Sequence, residues 1–288
     1  DEASEGKGRK SVGQSLIDFE LTLDKALWIS FAGTRAEHDE RSTLGSEVDT
    51  DVFGFEIGLD IPVFESDASR LILGTSFAWQ DADTDIDGLE ALAGGIDTQA
   101  ASFPHSALWL SSSQFYANGQ MRYSTFSSDF SVDGLGRFAP DTNGDGMAVS
   151  MEVGKVFDLS DGLTLVPQVQ FTHSAVSSDG IADPFGSPFI AFVSDGETTS
   201  ARAGLMAEHV TGGTSLIGSV SYIHAFDNDT SIDFAGTPFI TSLAQNRVEL
   251  TAGAHASVAK NLVFHGALTA QGAISDFSND NSYGVTGG

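Results

Sequence analysis

The fold is decided by the stretch Phe53–Phe64, FGFEIGLDIPVF, in which large apolar residues occupy every second position. The residues between them are two glycines, a glutamate, an aspartate and a proline. Because a strand sends successive side chains to opposite faces, this segment has one apolar face and one polar face. In a soluble sandwich the apolar face meets a second sheet. In an outer-membrane barrel it meets lipid, and the polar face lines a lumen.

The composition restricts the class of protein. The 288 residues include 40 acidic and 13 basic residues, which gives a formal net charge of −27 at pH 7. This balance argues against a nucleic-acid partner, because nucleic-acid binding needs a basic surface. Cysteine is absent, which excludes a disulfide framework and thiolate chemistry. Glycine (32) and phenylalanine (21) are frequent and proline (7) is scarce, which favours a sheet protein.

The same alternation recurs along the chain and predicts an all-β protein of about twelve strands. Ordinary strands have roughly five or six residues, whereas a tilted membrane strand needs roughly 9–11. Most of the alternating runs are of the longer kind, which favours the membrane alternative. The runs are counted at 27–32, 53–63, 71–80, 114–123, 126–138, 147–154, 163–172, 202–208, 216–222, 247–255, 262–271 and 283–285.

Short and long connections alternate between these runs. Short turns are predicted at 65–70, near Ser124, and at 158–162, 211–213 and 259–261. Long loops, of which the first two are strongly acidic, are predicted at 36–52, 81–113, 134–146, 176–200, 227–246 and 275–282. An up-and-down antiparallel transmembrane β-barrel explains this alternation, because its short turns lie at one end and its long loops at the other. A Greek-key sandwich does not produce it.

The few charges inside the runs mostly share the polar face. On the lipid face a Lys or Arg would cost about 2–4 kcal/mol near mid-bilayer, so these charges are predicted to face the lumen. The predicted lumen-facing polar residues are Glu56, Asp60, Arg122, Glu152, Arg202, Glu208, Arg247 and Glu249.

Several segments resemble the C-terminal translocator domain of autotransporters, the type V secretion proteins of Gram-negative bacteria. They are ALWISFAG (26–33), FGFEIGLDIPVF, VSMEVGKVFDLSDGLTLVPQVQFTHS (149–174), and NRVELTAGAHASVAKNLVFHGALTAQG (246–272) followed by YGVTGG. Their order and spacing carry the resemblance over roughly 26–288. It implies a twelve-stranded barrel whose pore is threaded by an N-terminal helix, and an exported passenger that precedes the barrel.

Two features depart from the family pattern. The chain ends at Gly288 without the terminal aromatic residue that family members present to the barrel assembly machinery, so the last strand is interpreted as incomplete. Residues 11–26 contain no Asn, so the self-cleavage at an Asn-Asn pair that some members perform is not carried over. Residues 1–26 are predicted as a linker with a candidate lumen helix, and 27–288 as the barrel. The spacing of 11–26 fits both a helix and a strand, and this choice stays open.

The segment Asp141–Glu152, DTNGDGMAVSME, fits the EF-hand pattern, but its second half alternates like a strand. A strand would carry Glu152 away from the metal instead of folding it back, so a polar turn at a strand end is expected. A weak candidate Ca²⁺ site is retained at Asp141, Asn143 and Asp145.

Other polar and aromatic groups have plain interpretations. His255 and His265 share the polar face of adjacent strands, but two imidazoles without a third ligand or a placed carboxylate make a poor metal or catalytic site. The acidic run DADTDIDG (81–88) is expected to be a solvated loop, with capture of Ca²⁺ or Mg²⁺ as the alternative. The tryptophans are expected in interfacial girdles: Trp28, Trp79 and Trp109.

The sequence therefore predicts a non-enzymatic outer-membrane barrel that anchors and exports its own N-terminal passenger in a Gram-negative bacterium. The expected partners are outer-membrane lipid and lipopolysaccharide, the barrel assembly machinery and the passenger, with no nucleic acid. No cofactor is expected beyond the candidate Ca²⁺ in surface loops. The alternatives are a passenger-less channel or adhesive barrel with acidic, Ca²⁺-binding loops, and a soluble Ca²⁺-binding sandwich.

Overall fold

The computed structural model describes residues 26–38, 47–87, 93–134, 136–160, 162–179, 181–182, 191–227, 229–234, 237–242, 244–259, 262–274 and 280–288. These residues form sixteen strands, and no helix that could cross a bilayer is found among them. The predicted N-terminal linker and candidate lumen helix lie outside the described residues, apart from Ala26.

Twelve long antiparallel strands form the wall of a closed barrel. They are β1 (Ala26–His38), β2 (Glu47–Glu65), β3 (Ser69–Asp87), β4 (Gly94–Ser111), β5 (Phe115–Val132), β6 (Gly136–Lys155), β8 (Leu163–Ser178), β10 (Ala191–Thr211), β11 (Thr214–Asp227), β14 (Asn246–Ala259), β15 (Leu262–Ala273) and β16 (Asp280–Gly287).

Four short strands complete the sheet. β7 (Phe157–Ser160) follows β6 and pairs with β8. β9 (Ile181–Ala182) and β12 (Asp229–Phe234) both pair with β10, and β13 (Thr237–Ser242) pairs with β12. These additions lengthen the wall without changing the order of the twelve long strands.

The first and last strands close the barrel. β1 pairs with β16 from Phe31↔Gly287 to His38↔Asp280, and with β2 on its other side. The predicted all-β, up-and-down barrel of twelve strands is therefore confirmed. Closure leaves none of the twelve strands at a free edge, so the backbone groups of the wall find their hydrogen-bond partners within the sheet.

The apolar side chains lie on the outside of this barrel. Large exposed residues alternate along the strands, as in β15, where Phe264 is 52 % and Leu268 65 % exposed. Among the described residues, the buried apolar side chains are few and mostly small: Ile72, Ala78, Leu110, Ala139, Val156, Val166, Ala225, Ala244 and Ala273. A soluble sandwich would bury its phenylalanines between two sheets, so this distribution excludes that alternative.

The stretch Phe53–Phe64 forms the middle and end of β2 and shows the alternation clearly. Phe53, Ile57 and Val63 are exposed on the outer face, whereas Gly54 and Gly58 are buried on the inner face. At about 3.3 Å per residue and a tilt of about 40°, the apolar run from Phe53 to Val63 spans about 25 Å along the barrel axis. That height matches the apolar band of outer-membrane barrels.

The predicted count of twelve strands was right, but two of the strands were assigned wrongly. β4 was predicted as part of the loop 81–113, and β5 was predicted as two strands with a turn near Ser124. In the structure Ser124 lies within β5 and pairs with Ser102 and Gly146 on the neighbouring strands. The count was still twelve because β4 was missed and β5 was counted twice.

The predicted long loops are shorter than expected, because the strands continue beyond the apolar belt. Between β5 and β6 only residues 133–135 connect the strands, although a loop was predicted at 134–146. The acidic residues at 49–51, 81–87 and 97, predicted in loops, lie on β2, β3 and β4. At the opposite end the turns are short. Gly212 and Gly213, with φ of 58° and 87°, form a two-residue hairpin loop.

The barrel wall is higher on one side than on the other. β2 to β6 contain 18–20 residues each, whereas β14 and β15 contain 14 and 12. A difference of about six residues in tilted strands corresponds to about 15 Å of height. With short turns at one end, the extra height lies at the end with the acidic strand extensions.

Candidate functional site in the barrel interior

The eight residues predicted to face the lumen lie at inward positions of their strands, alternating with the exposed apolar residues of the outer face. The structure joins five of them in two ion-pair clusters. Glu56 and Arg122 form the first cluster, and Glu152, Arg202 and Glu249 form the second.

The first cluster connects strands that are not neighbours. Arg122 Nη2 on β5 lies 3.0 Å from Glu56 Oε2 on β2. The other oxygen of Glu56 accepts a hydrogen bond of 2.6 Å from the Ser76 hydroxyl on β3. Both carboxylate oxygens are therefore satisfied, which is what keeps a partly buried charge inexpensive.

The second cluster centres on Arg202 of β10. Its two terminal nitrogens bind Glu152 on β6 at 3.2 Å and Glu249 on β14 at 2.9 Å. The Tyr116 hydroxyl donates a hydrogen bond of 2.9 Å to Oε1 of Glu152, the oxygen that Arg202 does not contact. One guanidinium thus holds two carboxylates and links β6, β10 and β14, and Tyr116 adds β5 to the cluster.

The other three predicted residues stand apart from these clusters. Asp60 lies on the inner face of β2, beside Gly74. Arg247 lies two positions before Glu249 on the same face of β14. Glu208 is only 1 % exposed. It accepts a hydrogen bond from the Ser215 hydroxyl, and its Oε2 has no partner among the described residues.

Two aromatic rings contact glycines on the inner wall. Trp28 is paired with Gly58, and a methyl group added at Gly58 would overlap the indole ring. Tyr116 is paired in the same way with Gly154. The expectation that Trp28 belongs to an interfacial girdle was therefore wrong. Its place between the outward Leu27 and Ile29 was the signal that it faces inward.

Hydroxyl pairs complete the inner wall. Ser102 and Ser124 lie 2.8 Å apart, and Thr251 and Thr269 lie 3.2 Å apart, each pair on adjacent strands. A cavity of about 440 Å³ opens against this wall. Its lining includes Trp28, Glu56, Asp60, Gln120, Arg122 and Gln170. The interior therefore offers a polar surface of mixed charge, on which a polar solute or chain can lie.

The candidate Ca²⁺ residues lie on β6. Asn143 and Asp145 are paired with Ser127 and Thr125 of β5, so the segment is extended and is not the polar turn that was expected. Asp141 has a positive φ of 55°, and its backbone N–H donates to Asp129. Among the described residues no group of three or more His, Cys, Asp or Glu side chains is arranged to hold a metal ion. The Ca²⁺ site stays a prediction.

An acidic surface lies on the outer face above the apolar belt. Asp51, Asp83, Asp97 and Asp129 are directly opposite one another on the four strands β2 to β5. Partial desolvation, together with the charges of Asp97, Asp85 and Asp51, raises the pKa of Asp83 above its ordinary value. On β1, Arg35 forms ion pairs of 3.0 Å with both Asp49 and Asp51.

Comparison with known proteins agrees with this geometry. The family model described as "Autotransporter beta-domain" matches residues 27–269. A curated protein from Brucella suis biovar 1 (strain 1330), "Adhesin BmaC autotransporter", is 24 % identical over 233 residues, which are 76 % of this chain. The chain spans only 7 % of the length of that adhesin.

Two solved structures share the fold. The transport unit of the autotransporter AIDA-I from Escherichia coli has a TM-score of 0.81 at 17 % identity, covering 99 % of this chain and 91 % of that one. The β domain of the Bordetella autotransporter Brka has a TM-score of 0.68 at 19 % identity, covering 92 % and 98 %. At these identities the likeness concerns the fold.

Proposed function

The chain belongs to the autotransporter β-domain family, and from this premise we propose that its barrel anchors and exports an N-terminal passenger in the outer membrane of a Gram-negative bacterium. The observation that carries the proposal is the inverted distribution of side chains. Apolar groups cover the outside for about 25 Å, which suits lipid, and polar and charged groups, five of them joined in ion pairs, line the inside, which suits a hydrated passage.

The partners of this function follow from its surfaces. The outer belt would contact outer-membrane lipid and lipopolysaccharide, and the barrel assembly machinery would insert the barrel. The lumen would hold the N-terminal segment of the same chain. A net charge of −27 argues against nucleic acid. The barrel itself is proposed to be non-enzymatic, and the ion pairs that engage five of its inner charged residues support this, because they hold the wall together.

A surface-display experiment tests the proposal. The full chain is expressed in a Gram-negative host with a secretion leader and an epitope-tagged segment ahead of Asp1. We expect antibody to bind the tag on intact cells, and external protease to remove it while a periplasmic marker stays intact. The matched controls are Leu250→Arg, on the lipid face, and Thr251→Arg, on the adjacent inward position. Only the first is expected to prevent insertion of the barrel.

The passenger-less channel is the competing outcome. The cavity of about 440 Å³ against the inner wall is the observation that favours it. If the barrel fractionates with the outer membrane and conducts ions in planar bilayers, while the tag stays in the periplasm, the channel function replaces the export function.

A further inference from the structure

Two histidines face each other on the inner wall near the short-turn end of the barrel. His255 on β14 is directly opposite His265 on β15 in the antiparallel register. Their rings are 5.9 Å apart between centroids and their planes are inclined by 30°. Both side chains are half-buried, and neither imidazole makes a hydrogen bond within the part of the chain that the structure describes.

The backbone holds the two rings in place. The register between β14 and β15 is unbroken from Arg247↔Ala273 to Ser257↔Val263. The backbone N–H and C=O of His265 also pair with Gly288, at 2.9 and 3.0 Å. Two imidazoles fixed opposite each other with unused ring nitrogens are a preformed pair of nitrogen ligands.

The spacing suits a shared metal ion. With metal–nitrogen bonds of about 2.0–2.1 Å in tetrahedral geometry, two coordinating imidazole rings have centroids about 5 Å apart. The observed 5.9 Å is within about 1 Å of that value, a change that side-chain rotation can supply. Imidazole nitrogens suit Zn²⁺, Cu²⁺ and Ni²⁺, whereas Ca²⁺ and Mg²⁺ prefer oxygen ligands.

A buried carboxyl group is linked to this pair of histidines through Ser215. Ser215 on β11 is directly opposite His255 on its other side, and the Ser215 hydroxyl donates to Glu208 on β10. Glu208 is 1 % exposed and keeps one oxygen without a partner among the described residues. The Ser215 hydroxyl therefore lies next to His255 and is held by Glu208, and its oxygen can accept a hydrogen bond from a metal-bound water.

We propose that His255 and His265 form a two-imidazole site for a divalent transition-metal ion of the Zn²⁺ class on the lumen wall, with Ser215 and Glu208 as its outer shell. The two remaining ligands are water molecules. We expect weaker binding than at structural sites with four protein ligands, because only two protein groups hold the ion. The ion cross-links β14 and β15, and so stabilises the hairpin on which the last strand β16 docks.

Metal binding is tested on the full chain, folded in detergent without an affinity tag. Titration with Zn²⁺ in the calorimeter is expected to give one site per chain that excess Ca²⁺ does not displace. His255→Gln and His265→Gln each abolish it. The matched controls are His173→Gln and His224→Gln, which lie on the outer face and leave it unchanged. Glu208→Gln is expected to weaken binding about tenfold.

A second measurement needs no variant. Histidines of the wild-type chain are modified with diethylpyrocarbonate with and without Zn²⁺, and the modified positions are read by mass spectrometry. Protection by Zn²⁺ is expected at His255 and His265 and not at His173 or His224. Protection confined to other histidines, Ca²⁺ competition for the site, or unchanged Zn²⁺ binding in both lumen variants would overturn the proposal.

Discussion

Arg122 on β5 and Glu56 on β2 are joined by an ion pair of 3.0 Å across the two strands that separate them. Such a contact can form only because the wall is curved, so that side chains from distant strands converge inside it. It connects positions 66 residues apart in the chain and belongs entirely to the closed barrel.

Breaking this pair is expected to destabilise the barrel. Arg122→Gln or Glu56→Gln should each lower the free energy of unfolding by about 1 kcal/mol, because a half-buried charge loses its partner. The double variant should cost less than the sum of the two, with a coupling of about 1 kcal/mol. Urea unfolding in detergent, followed by tryptophan fluorescence, measures all three. Strictly additive losses would contradict the pairing. Arg35→Gln, which breaks exposed ion pairs, serves as the control with a smaller effect.

The contact of Trp28 with Gly58 predicts a steric effect. Gly58→Ala places a methyl group in the indole ring and should lower the free energy of unfolding by about 1–3 kcal/mol through overpacking. The companion Trp28→Ala should remove most of that penalty in the double variant. Gly119→Ala is the matched control, since a methyl group there meets no atom within 4 Å. Equal effects of the two glycine replacements in thermal melts would show that ring contact is not the cause.

The alternation of β14 predicts opposite responses at neighbouring positions. Leu250→Arg puts a charge on the outer face, where Leu250 is 53 % exposed, and should cost about 2–4 kcal/mol in lipid vesicles. Thr251→Arg puts the same charge inside the barrel and should cost much less. Urea titration of vesicle-folded protein compares them. A larger loss for Thr251→Arg would mean that the two faces have been assigned the wrong way round.

The acidic surface predicts a pH dependence. The pKa of Asp83 is raised in the folded state, so its charged form is disfavoured there. Its ionisation therefore weakens the strand extensions as pH rises from the unfolded-state pKa, about 3.9, through the folded-state pKa. Asp83→Asn should raise the free energy of local opening at pH 7 by a few tenths of a kcal/mol, because it removes a repelling charge. This gain should vanish at pH below the unfolded-state pKa.

Hydrogen exchange of peptides from β2 and β3, corrected for the intrinsic pH dependence, provides the measurement. Asp67→Asn, in the short turn between the same two strands, is the control and should leave these peptides unchanged. A gain from Asp83→Asn that persists undiminished in acid would point to a cause other than charge.

Sequence alternation was sufficient for the barrel but not for every strand. The outer face of β2 carries Phe53, Ile57 and Val63, so its period was unmistakable. The outer face of β4 carries Gln99, Ala101 and His105, and Pro104 lies among them. Such a strand is recognised only by its neighbours, since Phe103 packs on Phe77 of β3 with 5.7 Å between ring centroids. The periodicity of one strand cannot predict a contact with a residue on another strand.

The sequence predicted which charged residues face the interior, but not which of them form ion pairs with each other. Parity indicated which charges would share a side, but the association of Arg202 with Glu152 and Glu249 depends on which strands the curvature brings together. The acidic strand extensions were missed for a different reason. The frequent Asp residues have low β-propensity, and they remain in strands because the ladder that begins in the apolar belt continues through them.

The uneven rim gives the mouth of the barrel a direction. A bevelled opening is low where β14 to β16 end and stands about 15 Å taller along β2 to β6. A chain leaving such an opening reaches solvent first on the low side of the rim, while it still contacts the taller wall on the other side. In the proposed export, the emerging residues would therefore leave the barrel obliquely, on the side away from the acidic extensions of β2 to β5, and not along the barrel axis.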